Sequence, residues 1–213
     1  MARTRQPIDP EKSARIIDVA MHAFAQHGYR DTNTEQIAER AGVSKGLIFH
    51  YFQSKANLYV ETVRATYSKI VAAADMSVWQ DSADLKDMVV RALRYKIQLQ
   101  LRYPDEFALA MQAYAEVGNL PERLRPQLQA IWSNQLTTSV PDMVGPVLQR
   151  MPLRAGVTAE TISNMILMLS NAIGEQAKVM VRANPQIKIE DFDPVVDQAV
   201  QYMDVLEHGF LAE

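Results

Sequence analysis

The chain of 213 residues contains no cysteine. That excludes a disulfide framework and any thiolate metal site, and it suits a reducing, cytoplasmic setting. A long hydrophobic run is missing too. The most apolar stretch, Ile162 to Ile173, is interrupted by Ser163, Asn164, Ser170 and Asn171 and is too short to span a bilayer, so a membrane is not an expected partner. The opening residues MARTRQPIDPEKSAR lack the apolar core of a secretory signal. No alternating strand pattern runs beyond a few residues, and there is no internal repeat or low-complexity run.

Enzymatic signatures are equally scarce. The sequence has no P-loop, no GxGxxG and no HExxH, and His22, His27, His50 and His208 show no metal-ligand spacing. Paired acids such as Asp105-Glu106 and Glu190-Asp191 read as helix-start charges. The expectation is a chain that is not an enzyme and carries no cofactor and no metal.

What remains is helix. Asp9 is placed to cap a first helix that has Pro10 at its first position and Ile16, Ile17, Ala20, Phe24 and Ala25 on one face, and Gly28 is placed to end it. Asn33, three residues ahead of Gln36, opens a short second helix that breaks at Ala41-Gly42. Ser44 caps a third and Ser54 a fourth of some twenty residues, expected to join the two parts of the chain as a stiff connection. Longer helices are predicted over 83–102, 105–117, 122–140, 159–183 and 194–211. The breaks fall at Tyr103-Pro104, 118–121, 141–152 and Asn184-Pro185.

The second and third helices carry the functional signal. Two helices crossing steeply through a short turn need small residues where their backbones meet. Ala38 and Gly42 supply them, while Ile37, Val43 and Ile48 fill the space between. The outward residues Ser44, Lys45, Gly46, Phe49, His50, Tyr51 and Lys55 cluster around one short helix of a size that enters a major groove about 12 Å wide. Charge has the matching sign. Residues 1–60 hold 8 Lys+Arg against 6 Asp+Glu and the remainder 14 against 19, within a formal net charge of -3.

The segment HAFAQHGYRDTNTEQIAERAGVSKGLIFHYFQSKANLY resembles the tetracycline-repressor (TetR) family of bacterial regulators over roughly residues 10–60. The resemblance rests on Gly28-Tyr29, Ile37-Ala38, Ala41-Gly42-Val43-Ser44, Gly46, Tyr51-Phe52 and Lys55. It implies an all-α fold with an N-terminal three-helix helix-turn-helix domain, residues 1–55, and a larger helical ligand-binding and dimerisation domain, residues 56–213. It also implies repression relieved by a small molecule.

Carried over by position, Thr34 touches phosphate, Lys45 and Gly46 lie nearest the bases, and Phe49, His50 and Tyr51 occupy the aromatic and phosphate-contacting positions. Lys55 meets a phosphate from the start of the fourth helix. Two departures stand out: Phe49 replaces the family's usual Tyr, and Leu47 a commoner Thr, so both favour apolar contact. Glu35 sits where some members place a base-reading cation, and no guanine contact is expected from it. Arg3 and Arg5 form an arm suited to the minor groove.

In the body, the segment 159–183 is apolar nearly all round, and Val195, Val196, Ala199, Val200, Met203, Leu206 and Phe210 form one stripe. A helix apolar on every side must be covered on every side. The resemblance implies the same, pairing the last two helices with a second copy about a two-fold axis that matches a palindromic operator on double-stranded DNA. Phe107, Met111, Tyr114, Trp132, Asn164 and Met168 are candidates to line an effector pocket, with Gln112 or Asn171 as further hydrogen-bonding groups. The effector is expected to be apolar or amphipathic. The rival reading is a regulator-fold protein acting as an activator or interaction module without ligand control.

Overall fold

The structure is a computed structural model and describes residues 8–184 and 190–208. Arg3 and Arg5 of the predicted arm, Phe210 of the C-terminal stripe and the last residues of the 194–211 helix lie outside the described residues. Among the described residues ten α-helices run in the order α1 (Pro10–Asp31), α2 (Thr34–Arg40), α3 (Lys45–Phe52), α4 (Lys55–Ala73), α5 (Ser77–Gln80), α6 (Leu85–Arg102), α7 (Pro104–Ala115), α8 (Arg125–Leu148), α9 (Ala159–Ala183) and α10 (Asp193–His208). There is no strand among the described residues, and none of their helices is long and apolar enough to cross a membrane.

The predicted caps form. Asp9 accepts from the Glu11 and Lys12 amides, Asn33 from Glu35, Ser44 from Leu47 and Ser54 from Asn57. Each satisfies an amide that the first helical turn leaves unpaired.

The chain packs as two compact units. The first holds the described residues up to Ala73 together with Tyr103–Ile131, so α7 returns to pack against α1 and α4. Its interior includes Ile16, Phe24, Ile37, Ile48, Leu58, Val63 and Leu109, all fully buried. α4 lies in this unit over its whole length. The Lys69 ammonium meets the buried Glu106 carboxylate at 2.6 Å, tying α4 to α7. At Gly28 the backbone takes φ 69°, ψ 179° and kinks α1, and the buried Thr32 hydroxyl donates to the Gly28 carbonyl at 2.6 Å to brace the bend.

The second unit holds Ala74–Arg102 and the described residues from Trp132 onward. Leu85, Met88, Val144, Val147, Leu148, Ile166 and Met203 form its core. The Glu207 carboxylate on α10 accepts from the Leu85 amide at 2.8 Å and caps α6, while Arg150 donates to the Gln80 and Ser82 carbonyls.

Two predicted boundaries are corrected. Gly28, expected to end the first helix, instead kinks it, and α1 runs on to Asp31. The second lies in α8. The helix expected to stop at Val140, ahead of Pro141, continues to Leu148 through Pro141 and Pro146. Proline keeps a helical φ and forfeits its own backbone donor. Continuation is favoured because the extra two turns carry Val144, Val147 and Leu148 into the second core, where each is at most 2% exposed. The short helix α5 was not anticipated by the pattern.

The Gly28 conformation is one that essentially only glycine adopts, and a Cβ there would stand 3.0 Å from Gln112 Nε2. Gly28→Ala is therefore expected to destabilise the protein by about 1–3 kcal/mol. Equilibrium urea unfolding followed by circular dichroism measures this, and an unchanged midpoint would contradict the assigned kink.

Candidate nucleic-acid interface

The turn between α2 and α3 is closed by its own backbone. The Val43 amide donates to the Ala38 carbonyl at 2.9 Å and the Gly42 amide to Glu39 at 3.1 Å, with Gly42 at φ 64°. This is the paired closure of a helix that ends on a left-handed glycine. Arg15 Nε on α1 donates to the Ala41 carbonyl at 2.8 Å and pins the same turn from behind. Ala38 and Ile48 are buried where the two helices meet, as the small-residue pattern requires.

On the outward side, Ser44, Lys45 and Gly46 are exposed, and Leu47 is half-buried one residue on. Phe49 is 38% exposed, an apolar ring offered to the surroundings. His50 and Tyr51 are half-buried with ring centroids 5.7 Å apart. The Tyr51 hydroxyl accepts from the Asp9 amide at 3.0 Å, so the start of α1 is anchored to α3. Thr34 is only 8% exposed at the first position of α2, the least accessible of the predicted set.

Two ammonium groups sit differently. Lys45 Nζ meets Glu35 Oε1 at 2.6 Å across the turn. That hydrogen bond, reinforced by the lysine's charge, holds the Glu35 carboxyl below its ordinary range. Lys55 Nζ donates to the Arg30 carbonyl at 2.9 Å and lies 5.2 Å from the centre of the Tyr29 ring. Burial lowers its pKa, partly countered by Asp31. Neither Arg15 nor Glu35 was singled out by the pattern as a structural partner. Their contacts join residues 26 and 10 positions apart, where helical periodicity carries no signal.

The effector candidates do not form one set. Phe107 is buried, and Met111 and Tyr114 are half-buried on α7 in the first unit. Trp132, Asn164 and Met168 fall in the second, with Trp132 buried, Asn164 exposed and Met168 64% exposed on α9. A concavity of about 480 Å³ in the first unit is lined by none of these six. His27, Gly28, Arg30, Gln112 and Glu116 are among its walls, and the buried Gln112 Oε1 has no hydrogen-bond partner among the described residues.

Comparison with known proteins agrees with the geometry. The family model of bacterial regulatory proteins, tetR family, matches residues 16–62, from the core face of α1 into α4. The HTH-type transcriptional regulator RutR of Escherichia coli is 30% identical over 121 residues, covering 56% of each chain. BetI of Agrobacterium fabrum is 26% identical over 133 residues, covering 62% of this chain and 63% of BetI. The chain thus spans little more than half the length of these curated relatives. Among solved structures, a putative TetR-family regulator from Rhodococcus superposes with a TM-score of 0.67 at 21% identity, over 93% of this chain and all of the other. The regulator FadR of Bacillus subtilis, solved with stearoyl-CoA, gives 0.62 at 18% identity over 93% and 99%. The helix-turn-helix built on α2 and α3 and the matched segment agree: residues 16–62 form a segment of the tetR family of bacterial regulatory proteins, on a chain whose fold is that of the solved structures compared.

Proposed function

We propose that the protein is a DNA-binding transcriptional repressor that sits as a homodimer on a palindromic operator and is released by a small apolar or amphipathic effector. The observation that carries this reading is the outward face of α3. An eight-residue helix, capped by Ser44 and braced by Arg15 through the turn, presents Lys45, Gly46 and Phe49 at an exposed edge. A helix of about 10–12 Å diameter enters a major groove of about 12 Å, with its N-terminal residues nearest the base edges. In this reading residues 1–55 read DNA, and residues 56–213 take the effector and pair the subunits.

Contacts then divide by chemistry. Lys45 and the Gly46 backbone approach base edges, while Leu47 and Phe49 pack on thymine methyls or sugar. Ser44, His50, Tyr51 and Thr34 reach phosphates, as Lys55 does after giving up the Arg30 carbonyl. Dimerisation is supported by α9, where Met168 and Val179 are each 64% exposed and eleven residues apart, hence on one face three turns along. Val205 on α10 is 47% exposed. Effector control is supported by fold alone, through likeness to a regulator solved with an acyl-CoA. An effector that prefers the wrong spacing of the two recognition helices, transmitted through α4, would lower operator affinity by that preference.

Titrating the full chain with duplex DNA at several salt concentrations tests the reading. Affinity is expected to fall with salt at a log-log slope of about -0.9 per phosphate neutralised, steepest for the preferred sequence. Equally weak binding to every duplex, flat in salt, would overturn it. Dimerisation has its own measurement. Joint substitution Met168→Glu and Val179→Glu is expected to turn a dimer into a monomer in sedimentation equilibrium at micromolar protein, and an undisturbed dimer would remove this face from the interface.

A further inference from the structure

The Glu35–Lys45 pair places a carboxylate on the surface that must approach a polyanion. Its two side chains keep 63% and 50% of their surface exposed. An acid in the first turn of a helix ordinarily serves that helix's own unpaired amides. At the start of α2 Asn33 accepts from the Glu35 amide at 2.8 Å. The carboxylate instead reaches across the turn to Lys45, 2.6 Å away. Both backbones are held: α2 by Asn33, α3 by Ser44, and the turn between them by Gly42, Val43 and Arg15. The two backbone positions that carry this donor and acceptor are thus fixed beside each other at the N-terminal end of α3.

We propose that Glu35 and Lys45 act as one specificity-determining unit that selects a G·C base pair and weakens binding to every duplex lacking it at that position. This rests on the DNA-binding reading above. In the major groove guanine offers the adjacent acceptors O6 and N7, and its partner cytosine offers the N4 amino donor beside O6. The ammonium matches the guanine edge and the carboxylate the cytosine edge, so a G·C pair replaces the mutual contact with two new ones. An A·T pair also offers an amino donor, adenine N6, but it lies between the acceptors N7 and O4, so no two adjacent acceptors remain for the ammonium, and away from G·C Lys45 stays neutralised by Glu35. Lys45 then contributes little to phosphate attraction, and Glu35 repels the backbone.

The test uses the full 213-residue chain, a random duplex library and four chains: wild type, Glu35→Gln, Lys45→Ala and the charge-retaining control Glu35→Asp. Selected and scrambled duplexes are then titrated at one fixed salt concentration. The wild type is expected to enrich a motif with an invariant G·C pair in each half-site. Glu35→Gln should bind scrambled duplex about 3- to 10-fold more tightly and lose the preference at that pair, while Glu35→Asp keeps part of it. Lys45→Ala should weaken the selected duplex by about 5- to 150-fold, the range of one good base contact. An unchanged thermal melt shows that each variant is folded. If the wild type enriches a motif that Glu35→Gln enriches identically, with the same affinity for scrambled duplex, the proposal is overturned and the DNA-binding reading stands. A motif fixed as A·T at the Glu35-sensitive position also overturns it. If the wild type enriches no motif at all, the proposal and the DNA-binding reading fall together.

Discussion

Phe24 on α1 and Tyr59 on α4 meet edge to face with ring centroids 4.9 Å apart, and solvent reaches neither beyond 2% of its surface. Tyr29 joins them at 5.1 Å, and the Lys55 ammonium lies over Tyr29 in turn. Such ring pairs add about 0.5–1.5 kcal/mol each to the burial of their area. Burial, with Glu116 nearby, pushes the Tyr59 phenol well above its ordinary pKa and keeps the ring neutral. This cluster sets the angle between α1 and the start of α4. α2 and α3 are laid against that frame by Ile37 and Ile48. The outward face of α3 is positioned by what lies behind it.

Local chemistry was legible from the chain itself. Asp9, Asn33, Ser44 and Ser54 cap the helices they were expected to open, because a cap needs only its own side chain and amides two or three residues on. Gly42 takes the positive φ its place in the turn suggested, while Gly28, expected to end α1, kinks it instead. The Pro141 boundary failed because proline was weighed against propensity alone. The competing term, burial of Val144, Val147 and Leu148 in a core built from α6, α9 and α10, is tertiary and invisible in a local window. The same reason hid Arg15 on the Ala41 carbonyl and Lys69 on Glu106. Within the interface, residue types were readable but their pairings were not. Lys45 and Lys55 look alike in sequence, yet one is bound to a carboxylate and the other to a carbonyl.

The second unit holds a different lesson about apolar helices. α9 is apolar around most of its circumference, yet burial within one chain is uneven. Ile166 is 5% exposed, facing the core with Val144 and Met203, while Met168 two residues on is 64% exposed. Two residues along an α-helix turn the side chain by about 200°, so these positions face opposite ways. The hydrophobic pattern had counted both faces correctly as apolar without separating the one satisfied internally from the one left open.

The return of Tyr103–Ile131 to the first unit has a bearing on how the chain is made. Synthesis delivers residues in order, at about 5–20 per second. The helix-turn-helix is complete by Phe52, but Leu109 and Ala113 of α7, both buried in the same unit, come out more than fifty residues later, on the order of several seconds. Until then the apolar stripes of α1 and α4 lack one wall, and the growing chain must stay soluble with that seam open. The segment that reads as a free-standing module in sequence matures only with a helix made later.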